Sequence, residues 1–317
     1  MTTRFLVRCL AGNHMAWLWT AVAVMTSLPL VCQAQSDFSR RQLVVADLDG
    51  GGIRVVASPA GRTIGSPQWS PDGKWIAYDA WGPDETNGGP SWIEVVRADG
   101  TDSKRLGRGS MPSWSPDGTQ IVCHVNEDFG MSIVVMNLDG SGREVLMNHW
   151  GSPRWTPQGD RIVSAVHTTG ISVFDLASNA EHVVLFNQAL SQGLSIAPDG
   201  RRICFGPREG GLAIAELNDD ATNATFRWLI REGEFTHSSW SPDGEEVVFD
   251  CRMEKEHPDF GQLYLLDVDG DQKPRRFAGQ NQQVGNYDPD WSPDGKQLVY
   301  VSQVEVGPGR RSSGKTQ

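Results

Sequence analysis

Between residues 40 and 303, short apolar runs alternate with polar clusters rich in Pro, Asp and Gly. One cluster recurs. Trp-Ser-Pro-Asp-Gly is complete at Trp69–Gly73, Trp114–Gly118, Trp240–Gly244 and Trp291–Gly295, and worn copies stand at Trp155–Gly159 and Ile196–Gly200. The marker prolines fall at 71, 116, 157, 198, 242 and 293, at intervals of 45, 41, 41, 44 and 51 residues. A period of this size predicts a repeat architecture. Each copy is followed by an apolar run, such as Trp75-Ile76-Ala77-Tyr78, Gln120-Ile121-Val122-Cys123 or Gln297-Leu298-Val299-Tyr300. Pro fixes one turn dihedral, Asp bonds its own backbone and Gly accepts a positive φ, so the phrase reads as strand, tight turn, strand.

About twenty residues after the first turn, a third run ends in a second turn, an Asp-Gly pair at Ile93–Val96 before Asp99-Gly100, Ile133–Met136 before Asp139-Gly140 and Leu263–Leu266 before Asp269-Gly270. A short fourth run follows, for example Lys104-Arg105-Leu106. Each unit is therefore a four-stranded antiparallel meander, which cannot bury both faces alone. Six of them packed face to face around an axis can, and the predicted fold is an all-β, six-bladed β-propeller. The ends of the chain fit this closure. Leu43–Val45 and Arg54–Val56 form the second half of a unit whose first half is Asp288–Val301, so the N-terminal strands complete the last blade and leave no long edge open. The fifth residue after each marker position is Ile76, Ile121, Ile162, Ile203, Val247 or Leu298, a column expected between the blades.

These phased copies resemble the repeats of the TolB-type propeller, the WD40-like repeat of bacterial envelope proteins. The resemblance covers about residues 40–303. It implies fold far more than function, because the architecture hosts binding modules and enzymes alike. TolB proper carries an α/β domain ahead of its propeller, whereas here the repeats begin within about ten residues of the expected signal cleavage. Contacts made through that domain are therefore not carried over.

Residues 1–34 hold Arg4 and Arg8, no acidic residue and an apolar stretch from Met15 to Val31, the pattern of a secretory signal cleaved after Ala34. Lipidation at Cys32 is the competing reading, and Val31 stands where a small residue would precede an acylated cysteine. Cleavage takes the formal net charge from −11 to −13 by removing two arginines. Such a protein, placed in the periplasm or outside the cell, lacks the basic character expected of nucleic-acid partners. No further stretch has the length of a membrane span. Residues 35–303 are assigned to the propeller and 304–317 to a disordered tail. Of the three remaining cysteines, Cys123, Cys204 and Cys251 read as small buried hydrophobes; a Cys204–Cys251 bridge is the alternative.

Chemical motifs are sparse. Gly193-Leu194-Ser195-Ile196-Ala197 approaches a nucleophile elbow but reads as the inner strand of the fourth repeat. Asp47-Leu48-Asp49-Gly50 and Asp267-Val268-Asp269-Gly270 open like calcium loops, yet their phase makes them turns. No histidine pair has metal-ligand spacing; His124 and His237 are the candidates to converge on the axis. No cofactor is expected, and the chain is read as a monomer. A non-catalytic scaffold for a protein or an envelope polymer is favoured. The alternatives are a carbohydrate- or small-ligand-binding propeller and a polysaccharide hydrolase or lyase with a metal at the channel mouth.

The uniform turns open on one face, and the loops that vary open on the other, where recognition is free to evolve. That face is expected to be acidic and dotted with aromatics: Trp81, Asp84 and Glu85 in one loop; Glu127, Asp128 and Phe129 in the next; Glu254 and His257 in a third. Asp79, His124 and Asp250, eighth after their marker prolines, end second strands at the same rim, and His237, Tyr287 and Asp288 enter from the blade-to-blade connections. Such a surface suits a basic or hydroxyl-rich partner.

Overall fold

The recurring phrase is a self-contained hydrogen-bonding unit. In the computed structural model, which describes residues 40–82, 91–127, 130–166, 170–186, 190–252, 261–270 and 273–303, Ser70 Oγ donates to Asp72 Oδ1 at 2.7 Å and accepts from Trp75 N at 2.9 Å, while Asp72 Oδ1 also accepts from Lys74 N. Gly73 N returns to Ser70 O with φ +69°, a conformation that favours glycine. Ser115 with Asp117, Ser241 with Asp243 and Ser292 with Asp294 repeat the bonds. These bonds hold the carboxyls of Asp72, Asp117, Asp243 and Asp294 below the ordinary aspartate range, each led by its serine hydroxyl.

The turns also touch one another around the axis. Gly73 lies over Pro293, Gly118 over Pro71, Gly159 over Pro116, Gly244 over Pro198 and Gly295 over Pro242, so five of the six turn glycines meet the proline of the preceding blade, and Gly200 meets Gln158 in its place. This contact explains why the phrase is kept from copy to copy.

Six four-stranded antiparallel sheets result, numbered I to VI here in chain order of their inner strands. Those inner strands are Thr63–Trp69, Ser110–Trp114, Ser152–Trp155, Leu190–Ile196, Glu234–Trp240 and Asn286–Trp291. Each packs on the next and the last on the first, which closes the ring. Blade VI is shared as the sequence predicts: Asn286–Trp291, Gln297–Gln303, Arg41–Asp47 and Arg54–Ala57 lie in that order, with Leu43 opposite Val301 and Val45 opposite Val299. Among the described residues no helix is long and apolar enough to cross a membrane.

The core sits between blades. Ile76, Ile121, Ile162, Ile203, Val247 and Leu298 are all fully buried. Leu43, Val45, Val299 and Val301 of blade VI pack with Ile64, Ile76 and Tyr78 of blade I in one cluster, so the clasp has a hydrophobic core of its own. Cys123, Cys204 and Cys251 are buried, no bridge joins Cys204 to Cys251 in this structure, and desolvation pushes the thiols of those two up to about 12, as suits small buried hydrophobes. The expected signal segment and tail lie outside the described residues.

Candidate functional site

The inner strands do not alternate regularly. A register shift interrupts the pairing between Gly65 and Gln68, Ser110 and Ser113, Leu190 and Leu194, Phe235 and Ser238, and Tyr287 and Asp290. Ser66, Met111 and Asp288, each five residues before a marker proline, take φ of 49°, 55° and 52° there. A bulge re-aims side chains, and here it turns polar residues toward the axis. They line a central cavity of about 410 Å³ walled by all six inner strands.

Three residues before each marker position stand Gln68, Ser113, Arg154, Ser195, Ser239 and Asp290. Four of these accept a backbone N–H from the next blade: Gln68 Oε1 from Trp114 at 2.6 Å, Ser113 Oγ from Trp155 at 3.2 Å, Ser239 Oγ from Trp291 at 3.3 Å and Asp290 Oδ2 from Trp69 at 2.9 Å. The last bond joins blade VI to blade I. Asp290 Oδ1 also accepts from Ser239 Oγ at 2.8 Å.

One layer nearer the variable-loop face, Asp288 Oδ1 lies 2.6 Å from His237 Nδ1, an ion pair between side chains 12% and 10% exposed, and Asp288 Oδ2 accepts from Ser66 N at 3.0 Å. Asp250 Oδ1 accepts from His237 N at 2.7 Å and its other oxygen from the Thr236 hydroxyl. Asp79 Oδ2 accepts from Met111 N of the next blade at 2.8 Å. Two glycines leave room for this chemistry. A Cβ on Gly65 would stand 2.9 Å from Asp79 Oδ1 and 3.4 Å from Asp288 Oδ2, and one on Gly193 would meet His237 Cδ2 at 2.4 Å.

Burial sets the charge state of the cluster. Desolvation, reinforced by the Asp288 charge, raises Asp79 to about 6, and desolvation raises Asp290 to about 6 against the hydrogen bond from Trp69. Asp250 moves up for the same reason, opposed by His237. Burial would lift Asp288 too, but the imidazolium beside it outweighs that and holds the carboxyl low. His237 moves the other way, its burial penalty overcome by Asp288 and then Asp250. Arg154, desolvated in the wall, is drawn below the usual arginine range yet feels Asp290, Asp288 and Asp79.

Of the candidates read from sequence, the fold brings Asp79, His237, Asp250 and Asp288 together, with Trp81 against Gly65 beside them. Asp79 and Asp250 are only 3% exposed, so they stand behind the cavity wall and support it. Tyr287 is half-buried beneath Arg41, 5.5 Å from its ring centroid. His124 lies elsewhere. It is buried against Ser110 Oγ at 3.2 Å and the Trp150 ring, and desolvation, aided by His149, drops it to about 4. Asp84, Glu85, Asp128, Phe129, Glu254 and His257, with the side chain of Glu127, fall outside the described residues. Missed were Arg154 and Asp290, whose signal was their place in a column of the repeat alignment.

His237, Asp250 and Asp288 each offer a donor atom within 4.8 Å of the others. One imidazole and two carboxylates would suit a divalent cation. Here both carboxyls already accept hydrogen bonds and His237 Nδ1 faces Asp288, while His237 Nε2 is buried without a hydrogen-bond partner. Ser195 lies in the inner strand of blade IV with its hydroxyl 3.0 Å from Ser238 Oγ, in a strand and not an elbow.

Residues 22–275 match the model of the TolB beta propeller domain family. A protein of Francisella tularensis described as Tol-Pal system protein TolB is 24% identical over 268 residues, which cover 80% of this chain and 59% of the relative. Dipeptidyl-peptidase 5 of Porphyromonas endodontalis is 28% identical over 281 residues, covering 77% of this chain and 37% of that protein. A TolB-type structure from Agrobacterium tumefaciens superposes with a TM-score of 0.64 at 21% identity, covering 84% of this chain and 99% of that one. The chain thus spans well under two thirds of the length of these two relatives.

Proposed function

Because the chain belongs to the TolB β-propeller family, whose architecture serves binding and catalysis alike, we propose that it is an exported, non-catalytic scaffold that binds a protein or envelope polymer at the mouth of its central cavity. The observation that carries this reading is the concentration of Asp79, Asp250, Asp288 and Asp290 in and behind one cavity wall, with glycines at 65 and 193 keeping the space open. Buried carboxylates are costly unless paired. These are held by backbone N–H groups, hydroxyls and one imidazole, so the wall is a built feature that presents negative potential inside a low-dielectric recess, where it acts strongly on a cationic or hydroxyl-bearing group. A periplasmic or extracellular location follows from the signal-like N-terminal sequence and accords with the described role of the Francisella relative in the Tol-Pal system.

The test is capture of envelope components by immobilised protein at low and high salt, comparing wild type with Asp79→Asn, Asp250→Asn and Asp288→Asn combined. Asn keeps size and one acceptor, and it tolerates the left-handed backbone at 288. Capture should fall about tenfold at low salt and lose its salt dependence. Equal capture by a folded variant would move the binding surface off the cavity.

A further inference from the structure

In the column three residues before the marker position, Ser195 turns its hydroxyl to Ser238 instead of the next blade's backbone, and Arg154 alone has no acceptor to offer. Elsewhere in the ring that column supplies Gln68, Ser113, Ser239 and Asp290 as acceptors for a backbone N–H of the next blade. A guanidinium has no lone pair to offer, so blade III gives up this stitch to Ile196. A local rule broken without a structural return points to function.

The side chain gains little from the protein itself. Its hydrogen bond is Nη1 to Pro153 O at 3.0 Å, and among the described residues no carboxylate lies within 4.0 Å of it. The acids across the cavity are already engaged. Blades III and VI are diametrically opposite in a ring of six, so Arg154 faces Asp290, whose two oxygens take Trp69 N and the Ser239 hydroxyl, and Asp288, which pairs with His237. The cavity wall is therefore negative on the blade V, VI and I side and positive on the blade III side. The planar fork of the guanidinium matches a carboxylate.

We infer that the cavity takes a dipolar ligand, a short peptide segment or peptide-like molecule with a free carboxylate seated on Arg154 and an ammonium or guanidinium toward Asp288 and its neighbours. A simple anion would meet the facing carboxylates without compensation, and a simple cation would leave Arg154 unanswered. The cavity of about 410 Å³ is of small-ligand size. This inference rests on the binding-scaffold reading and adds the second charge that the partner must bring.

The probe is trialanine with free termini, with its C-terminal amide and its N-acetyl form as controls, titrated calorimetrically into the folded full chain. Trialanine should bind, and each control should bind about tenfold more weakly. Arg154→Gln installs the residue that blade I carries as Gln68 in the same column, so the ring should tolerate it; the variant should bind acid and amide within about twofold of each other, whereas Arg154→Lys should keep part of the preference. No binding of trialanine up to about 10 mM, equal binding of acid and amide by wild type, or an undiminished preference in Arg154→Gln would overturn the inference. Any of these, with envelope capture still sensitive to the three aspartates, would leave the scaffold reading standing; loss of that sensitivity would remove both.

Discussion

At the scale of single residues, the cavity wall makes stability respond to pH in a direction unlike that of surface carboxylates. Asp79 and Asp290 sit near 6 in the fold, and Asp250 is also raised, against about 4 in the unfolded chain. The native state thus binds more protons than the unfolded state between those limits, and stability rises as pH falls from above 6 toward 4. His149, raised mainly by its hydrogen bond to Glu181, adds stability below 6.5 that is lost as pH rises through its folded value. His124 opposes both, since it refuses in the fold the proton it takes up when unfolded. Asp288, held low, matters only below the ordinary aspartate range. Denaturant melts should therefore show greater stability at pH 5.5 than at 7.5. Asp290→Asn should remove on the order of 1 kcal/mol of that difference while stabilising the protein at neutral pH. A pH response unchanged by the substitution would mean that Asp290 is solvated and ionised. His124 and His237 were equal candidates in sequence; what separates them is a backbone bulge and a facing glycine, neither of which spacing reveals.

At the scale of elements, the phrase, its turns and the column from Ile76 to Leu298 were fully legible, because each is a local rule that recurs around the ring, the phrase complete in four copies and worn in two. The inner strands were legible as strands but not as a wall. Period-two alternation assigns faces only in a regular strand, and the shift between Gly65 and Gln68 and its counterparts re-aims the residues after it. For that reason Arg154 and Asp290 read as ordinary strand positions. The clasp strands Arg41–Asp47 and Arg54–Ala57 carry a prediction of their own. Leu43 and Val45 are fully buried, and Asp47 Oδ1 accepts from Gln297 Nε2 at 2.6 Å. Removing both strands exposes the long edge of Gln297–Gln303 and opens the blade VI to blade I cluster. The truncated protein should melt well below the parent and aggregate on heating; an unchanged melting temperature would show that blade VI closes without them.

At the scale of the whole molecule, the two faces divide the labour. Around the turn face, Gly–Pro contacts and Ser–Asp bonds repeat from blade to blade and hold the ring. Toward the other face, the same six inner strands present different side chains, and their differences put carboxylates on one side of the axis and a guanidinium on the opposite side. A closed ring is rigid enough to keep those charges apart. The central claim, that the cavity is where the partner sits, is tested most directly by photo-crosslinking in intact cells from position 195, on the cavity wall, and from position 225, exposed on the outer strand of blade IV. The expected result is an envelope adduct from position 195 that disappears when Asp79, Asp250 and Asp288 are changed to Asn, and none from position 225. Adducts from position 225 alone, or adducts from position 195 that survive those substitutions, would contradict it.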